Sequence, residues 1–388
     1  MGGPMQLVFI ESSNGLRLTK HVSATETKSY PNVKAVTSHH YDVTPSAEGM
    51  REFSSLLRKH SAEGHSLLKG RLKKQLNDES RASHTDRNAY AEYLVLDLDS
   101  MHVPGFTNKA QLQADDIQRV ADTVITQLPK EFQDVTYIAQ ASSSMGMKGD
   151  RVSMHIYIGL QVPLPVKTIK LWLKHINYTT DIFSSQLELS VNGQALKYPL
   201  DPSVADNSKL IFIAPPDYED ESLDPFQTTD DRLVLVERSQ PAIDLAPLLS
   251  EVSPEATHQA GVKFKDNLRK RNGLKPKKAR LQTITTAGEV QDVLLNPDQM
   301  SVQIIDTTNL PFVRCNINGG DSGAYWFNID DPTYMYNFKD EPVFEIEKAD
   351  REFYASIFDT YSQELADRGR IARPVALRDF YTDTYYNG

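Results

Sequence analysis

The chain has 388 residues, 39% of them hydrophobic and 24% charged, a balance that supports a folded protein of two or three domains. Its formal net charge of -10 excludes a uniformly basic surface for duplex DNA but leaves room for a local basic path. The single cysteine, Cys315, excludes a disulfide within the chain and a multi-cysteine zinc site.

The first eleven residues carry no basic segment followed by a long apolar stretch, so no secretory signal is expected. No run approaches the roughly 20 apolar residues that span a bilayer, and a cytoplasmic protein with no membrane partner is expected. In chain order, His39-His40 is a pair with no ligand pattern nearby in sequence. Residues 51–90 hold nine basic residues against five acids, including Lys69, Arg71, Lys73, Lys74 and Arg81. They read either as a template-lining path or as a solvated helix face. Residues 93–99 form an apolar run of strand length. Asp115-Asp116 then opens a helix whose Ile117, Val120, Ala121, Val124, Ile125 and Leu128 share one face, ended by Pro129.

A strand is predicted over 135–141, then a Ser-, Met- and Gly-rich loop, and a second strand over 152–160. A helix over 166–176 and a strand over 210–214 follow, and the Asn-Tyr-Thr triplet at Asn177 reads as a chance match to a glycosylation signal. Residues 217–231 carry seven acids and no base, as a solvated loop does. Residues 263–280 reverse the sign, with nine basic residues and one acid. This partly helical linker is either a plain tether or a strap touching nucleic acid. Beyond it the composition turns β-rich, with six aromatics between 325 and 338, and a helix is predicted over 348–365. Those aromatics are either the core of a small domain or a surface for stacking unpaired bases.

Three segments carry chemistry. In 93–99, strand alternation turns Asp97 and Asp99 to one side and Leu94, Leu96 and Leu98 to the other. Two carboxylates so placed repel unless a cation lies between them, and hard oxygen donors suit Mg²⁺ or Mn²⁺. The other readings of this segment are surface carboxylates at a strand end, or the opening motif of a haloacid-dehalogenase phosphatase. The phosphatase motif continues differently from Ser100-Met101 and lies nearer the start of its domain. In 151–157, Arg151, Ser153, His155 and Tyr157 share a face that offers a cation, a hydroxyl and an imidazole to phosphate oxygens; the alternative is a buried, hydrogen-bonded histidine. In 198–214, Asp201 before Pro202 is a carboxylate or simply a turn, followed by Lys209.

Asp97-x-Asp99, then Ser153-x-His155 some fifty residues on, then Asp201 about fifty further, resembles the archaeo-eukaryotic primase superfamily in order, spacing and strand context. Residues 68–81 are similar to what precedes the first motif in phage and plasmid members, and the resemblance covers roughly residues 50–245. It implies an α+β catalytic core containing an RNA-recognition-motif-like (RRM-like) sheet within residues 1–250, and the composition adds a basic linker over 251–284 and a smaller β-rich C-terminal domain over 285–388. It further implies two Mg or Mn ions on the catalytic carboxylates Asp97, Asp99 and Asp201; no zinc is expected, because one cysteine is too few for a zinc ribbon. The incoming nucleotide would lie on Arg151, Ser153, His155 and Lys209.

The implied activity is DNA-dependent primer synthesis, with extension if the chain is a primase-polymerase, from nucleoside triphosphates on single-stranded DNA in phage-type replication. Template contacts are expected from Lys69, Arg81, Lys270, Arg271, Lys277 and Lys278. No Gly-x-x-x-x-Gly-Lys-[Ser/Thr] loop occurs, so a helicase or other replisome protein would be separate, and a phage-encoded chain would work in the bacterial cytoplasm. The alternative from another class is a non-catalytic nucleic-acid-binding replication factor.

Overall fold

Alternating and continuous apolar runs become strands here because each has a helix or a second sheet to bury it. The computed structural model describes residues 4–31, 33–81, 84–190 and 195–274, and beyond them seven strands between 278 and 346. In chain order, the main elements of the first unit are β1 (Met5–Ser12), β2 (Val36–Val43), α1 (Ala47–Glu63), β3 (Ser66–Leu68) and β4 (Ala91–His102). Next come α2 (Ala114–Thr126), β5 (Tyr137–Ala141), β6 (Arg151–Leu164), α3 (Val166–Thr179), β7 (Leu210–Phe212), β8 (Leu233–Val236) and β9 (Ala242–Ile243). Helix α4 (Pro254–Arg271) runs across the point where the chain divides into two compact units, one of residues 1–188 with 197–261 and the other of 189–196 with 262–388.

The first unit is mixed α+β, built on two sheets. One is four-stranded and antiparallel, in the order β7–β3–β1–β2. The other has β6 at its centre, flanked by antiparallel β4 and β5, with β8 outside β5 and β9 parallel to β6 at Gly159–Leu160. Helix α1 begins at Ser46, whose hydroxyl accepts from the Gly49 amide (3.1 Å), and ends at Gly64, whose φ of 82° is left-handed. Its buried stripe of Met50, Phe53 and Leu57 joins the sheets. The Phe53 ring meets Tyr93 of β4 (5.4 Å) and Tyr157 of β6 (5.5 Å) edge-on. Helix α2 carries the stripe read from sequence as far as Ile125 but ends at Thr126, leaving Leu128 just beyond it; it opens with a capping box between Gln113 and Asp116 and packs on β5 and β8. Glu92 links the sheets by accepting from the Gln6 amide (2.8 Å) and pairing with Arg71.

In the second unit, β10 (Lys278–Leu281), β11 (Asp292–Asn296), β12 (Met300–Asn309), β13 (Phe312–Ile317), β14 (Tyr325–Asn328), β15 (Tyr334–Asn337) and β16 (Pro342–Ile346) form a closed barrel. Neighbours are antiparallel, and the barrel closes through the parallel pair β10 and β16. Val313, Cys315, Phe327 and Met335 are fully buried, whereas Arg314 is exposed and Trp326 and Tyr336 are half-buried. Arg314, Trp326 and Tyr336 form one cross-strand row, with the two rings stacked at 4.4 Å. The aromatic cluster therefore divides between core and outer face. The expected helix over 348–365 lies outside the described residues.

Candidate active site

Strand β4 is buried through Leu96, and toward its end its aspartates come out to solvent, Asp97 half-buried and Asp99 exposed. On one side, His155 of β6 stands opposite Asp97 in the ladder. On the other, residues 199–201 form a single antiparallel bridge: the Asp99 amide donates to the Pro199 carbonyl (3.0 Å) and the Asp201 amide to the Asp97 carbonyl (2.9 Å). Leu98 faces Leu200 in that bridge, so Asp97 and Asp201 are directly opposed and their carboxylates leave the same face. The three expected carboxylates thus converge from two segments about a hundred residues apart.

Leu200 is held from behind by a residue the sequence offered only as a chance glycosylation match. Asn177 of α3 is fully buried; its side-chain amide donates to the Leu200 carbonyl (2.8 Å) and accepts from the Leu200 amide (3.3 Å). Asp201 also caps the 3₁₀ turn Pro202–Ala205, accepting from the Ser203 amide (2.9 Å) and hydroxyl (2.7 Å). Turn and site are one structure. Lys209 reaches the Asp201 carboxylate at 3.4 Å and the Ser203 hydroxyl at 2.9 Å.

The β4–β6 ladder shifts between Val152 and Met154, leaving Asp99 and Ser100 opposite Ser153 alone. Ser100 takes a left-handed φ of 59°, which a serine adopts only when its surroundings hold it there. Those surroundings are two expected nucleotide-binding residues. The Ser100 amide donates to Ser153 Oγ (3.2 Å), and Arg151 donates to the Ser100 carbonyl (2.9 Å). Ser153 is buried, and Arg151 also meets Glu188 at 3.5 Å while about a third of its side chain stays exposed. Both build the bulge that carries Asp99, and of the two only Arg151 reaches solvent. His155 is buried, with Nε2 3.5 Å from Asp97, and among the described residues its Nδ1 has no hydrogen-bond partner.

The electrostatics follow from this crowding. Burial, the facing Asp201 carboxylate and Asp99, opposed by Lys209, push the Asp97 carboxyl up to about 8. Burial and the Lys209 charge push His155 down to about 4, so its imidazole is neutral at pH 7. Asp97 is 18% exposed and Asp99 67%, so the acidic face opens to water. Oxygen donors alone, crowded until one holds its proton, suit hard divalent ions such as Mg²⁺ or Mn²⁺.

Sequence reasoning missed a second cationic edge. Lys148 Nζ lies 3.9 Å from Asp99. Lys20 donates to Ser144, lies over the Tyr30 ring (5.2 Å), and has its ammonium lowered by burial and by Lys148 against the pull of Asp99. Tyr30 bonds Ser143 (2.6 Å) and stacks on Phe212 (3.6 Å). Lys148 had a signal, standing three residues before Arg151 in the Gly-rich loop; Lys20 had none.

The expected template residues separate. Lys69 is corrected: it is 3% exposed, its Nζ lies 4.3 Å over the Tyr93 ring without a hydrogen bond, and burial pushes it down to about 7. Its amide bonds the Lys209 carbonyl, which draws the residue into the core and away from any nucleic-acid backbone. Arg81 is half-buried and donates to the Ser208 carbonyl (2.8 Å). Lys270 and Arg271 lie in the last turn of α4 and Lys278 in β10, while Lys277 lies outside the described residues. Among the described residues, two overlapping sets, Glu11–His39–His65 and His60–Glu63–His65, bring their ligand atoms within 4.8 Å of one another and could hold a metal ion; the three aspartates are not drawn that close together. No described helix is long and apolar enough to cross a membrane.

Compared with protein-family models, curated proteins and solved structures, the chain matches none.

Two outcomes follow from this geometry. Asn177→Ala strips Leu200 of its partners and should cost about 1–3 kcal/mol, read by denaturant unfolding, with weakened Mn²⁺ retention; unchanged values for both would detach Asn177 from the site. In chelator, folded Asp97 keeps a proton that the unfolded chain has released above the ordinary carboxylate range. This part of the stability is therefore lost as pH rises from the ordinary carboxylate range through about 8, while the lowered His155 adds stability over the lower part of that window. Asp97→Asn should remove that part of the slope in a series of thermal midpoints.

Proposed function

We propose that this protein is a template-directed nucleotidyltransferase, a DNA primase with an archaeo-eukaryotic type of catalytic core. The observation that carries the reading is the convergence of Asp97, Asp99 and Asp201 on one face beside His155, in the motif order that resembles that superfamily. The sheet around β6, covered by helices, is compatible with the RRM-like half of such a core.

Asp97, Asp99 and Asp201 would hold the divalent ions. When bound, Mg²⁺ or Mn²⁺ supplies neutralisation of triphosphate charge and activation of the attacking hydroxyl. Lys209, at the edge of the acidic face, and the exposed part of Arg151 offer charge-assisted bonds to phosphate oxygens. Lys20 and Lys148 add positive charge on the Asp99 side. His155, neutral and buried, fixes the position of Asp97 without adding a charge to the cluster. No protein nucleophile is required. The single-stranded template would be gripped by the basic stretch around Lys270 and Arg271, and the stacked Trp326–Tyr336 pair offers an aromatic platform to unpaired bases. A separate helicase or other replisome protein is the expected partner.

The direct test supplies single-stranded template, nucleoside triphosphates and Mn²⁺ or Mg²⁺. Wild type should make oligonucleotides, and Asp97→Ala with Asp99→Ala should lower the yield by roughly a hundredfold or more. No product from wild type, or an undiminished yield from the double variant, ends the primase reading. Metal-dependent phosphate release from a generic phosphoester, lost in Asp97→Asn, would replace it with a phosphatase. On the binding side, Trp326→Ala should weaken single-stranded DNA binding roughly tenfold. Neutralising Lys270, Arg271, Lys277 and Lys278 should flatten the salt dependence of binding. Titrations over a range of salt concentrations decide both.

A further inference from the structure

The strand pairing and the end of α1 assemble a second group of ligand-type side chains, sharing no residue with the three aspartates. On β1 and β2, Phe9 pairs with His39 and Glu11 with Thr37, so Glu11 and His39 are diagonal neighbours on one face. Glu11 Oε2 and His39 Nε2 are 2.8 Å apart. The third member arrives from the helix. Gly64 closes α1 with its amide turned back to the His60 and Ser61 carbonyls, and the His65 amide bonds the His60 carbonyl (2.9 Å). Strand β3 starts at once, with Ser66 opposite Ile10, which sets His65 beside Glu11. Its Nε2 lies 3.9 Å from Glu11 Oε2, and its ring is parallel to that of His39.

We infer that Glu11, His39 and His65 form a binding site for one divalent transition-metal ion of the zinc class, with His60 and Tyr41 positioning His65. A tetrahedral site with bonds of about 2.0 Å separates its ligand atoms by roughly 3.3 Å. The distances of 2.8 and 3.9 Å bracket that value, so small side-chain rotations suffice. The surroundings of His65 are those of a metal ligand. Its other nitrogen, Nδ1, faces His60 Nδ1 at 2.8 Å, and His60 Nε2 meets the Tyr41 hydroxyl at 3.1 Å. His60 is fixed in turn by stacking on Phe9 at 4.0 Å. With Tyr41 accepting from His60 Nε2–H and His60 Nδ1 accepting from His65 Nδ1–H, the chain leaves the His65 Nε2 lone pair toward Glu11. Glu11 and His39 are 42% and 34% exposed, which gives an ion access and water for the fourth position. Two imidazoles and one carboxylate suit zinc-class ions, whereas the all-oxygen aspartate set suits Mg²⁺ or Mn²⁺. The sequence expectation of no zinc rested on the cysteine count, and this donor set needs no thiolate.

The test uses the full chain, stripped with chelator and titrated with Co²⁺ as a coloured stand-in, then with Zn²⁺ in competition. Wild type and a variant with Asp97, Asp99 and Asp201 all changed to Asn should each take up one equivalent with the visible absorption of a low-coordinate cobalt site, which zinc abolishes. Glu11→Gln and His39→Ala alter partly exposed side chains and should each weaken uptake at least tenfold. Tyr41→Phe removes only the hydroxyl that holds His60 and should weaken it roughly tenfold while shifting the cobalt spectrum. If folded wild type takes up no cobalt, or Glu11→Gln and His39→Ala bind as wild type does, the site is a hydrogen-bonded imidazole cluster and the inference falls. Primer synthesis is a separate readout, so neither result decides the other.

Discussion

Two carboxylates on one strand and a third on the segment bridged to it repel one another, and much of the local structure serves to hold them there. Directly opposed like charges destabilise a strand pair, and burial removes the water that would screen them. The protein meets this cost with backbone restraints that do not depend on the carboxylates. The Asp97 carbonyl and Asp99 amide lock the 199–201 segment in place, and Asn177 clamps Leu200 from the far side. The bulge at Ser100 is pinned from β6 by Ser153 and Arg151. The remaining imbalance appears as the proton on Asp97, which is where a divalent ion would relieve it.

What the sequence made legible was whatever depends on neighbours along one strand or helix. The shared face of Asp97 and Asp99 follows from a period of two, and the stripe of α2 follows from a period near 3.6. Helix ends were read only to within a few residues: the first helix stops at Thr126 rather than at Pro129, and the one predicted over 166–176 runs on to Thr179. The place of Asp201 was not readable from spacing, because a one-residue bridge between distant segments leaves no periodic trace; only the resemblance of motif order pointed to it. The bulge was invisible too, since Ser100 has no side-chain reason to turn left-handed. Its consequence is that Ser153, placed by pattern in a phosphate grip, spends its hydroxyl on the backbone of β4.

Charge counting met a similar limit. Residues 51–90 carry a surplus of bases, but several are consumed inside the fold. Arg71 pairs with Glu92, Lys74 with Glu79, Arg58 with Asp230 and the Leu233 carbonyl, and Lys69 is enclosed over an aromatic ring. A segment total says how many cations a stretch contains, not how many face water. The basic stretch of 263–280 contains a single acid to offset its nine bases, so its sign is less easily cancelled from within.

The histidines mark the other side of this limit. In sequence, His39, His60 and His65 have no motif spacing, and a search by cysteine or histidine pattern passes over them. They meet because an antiparallel strand register, a left-handed glycine at a helix end and the first residue of the next strand all converge on Glu11. Each of these devices has an ordinary structural reason: pairing, capping and chain reversal. Their convergence leaves His65 with one nitrogen engaged by His60 and the other facing a carboxylate. Packing alone would be served as well by an apolar residue at the C-terminal turn of α1, where hydrophobic contacts are the rule. Placing imidazoles there instead, stacked on Phe9 and tethered to Tyr41, buries polar nitrogens, and both nitrogens of His60 are answered, by Tyr41 and by His65. An ion held by Glu11, His39 and the Nε2 of His65 would leave that chain of bonds intact.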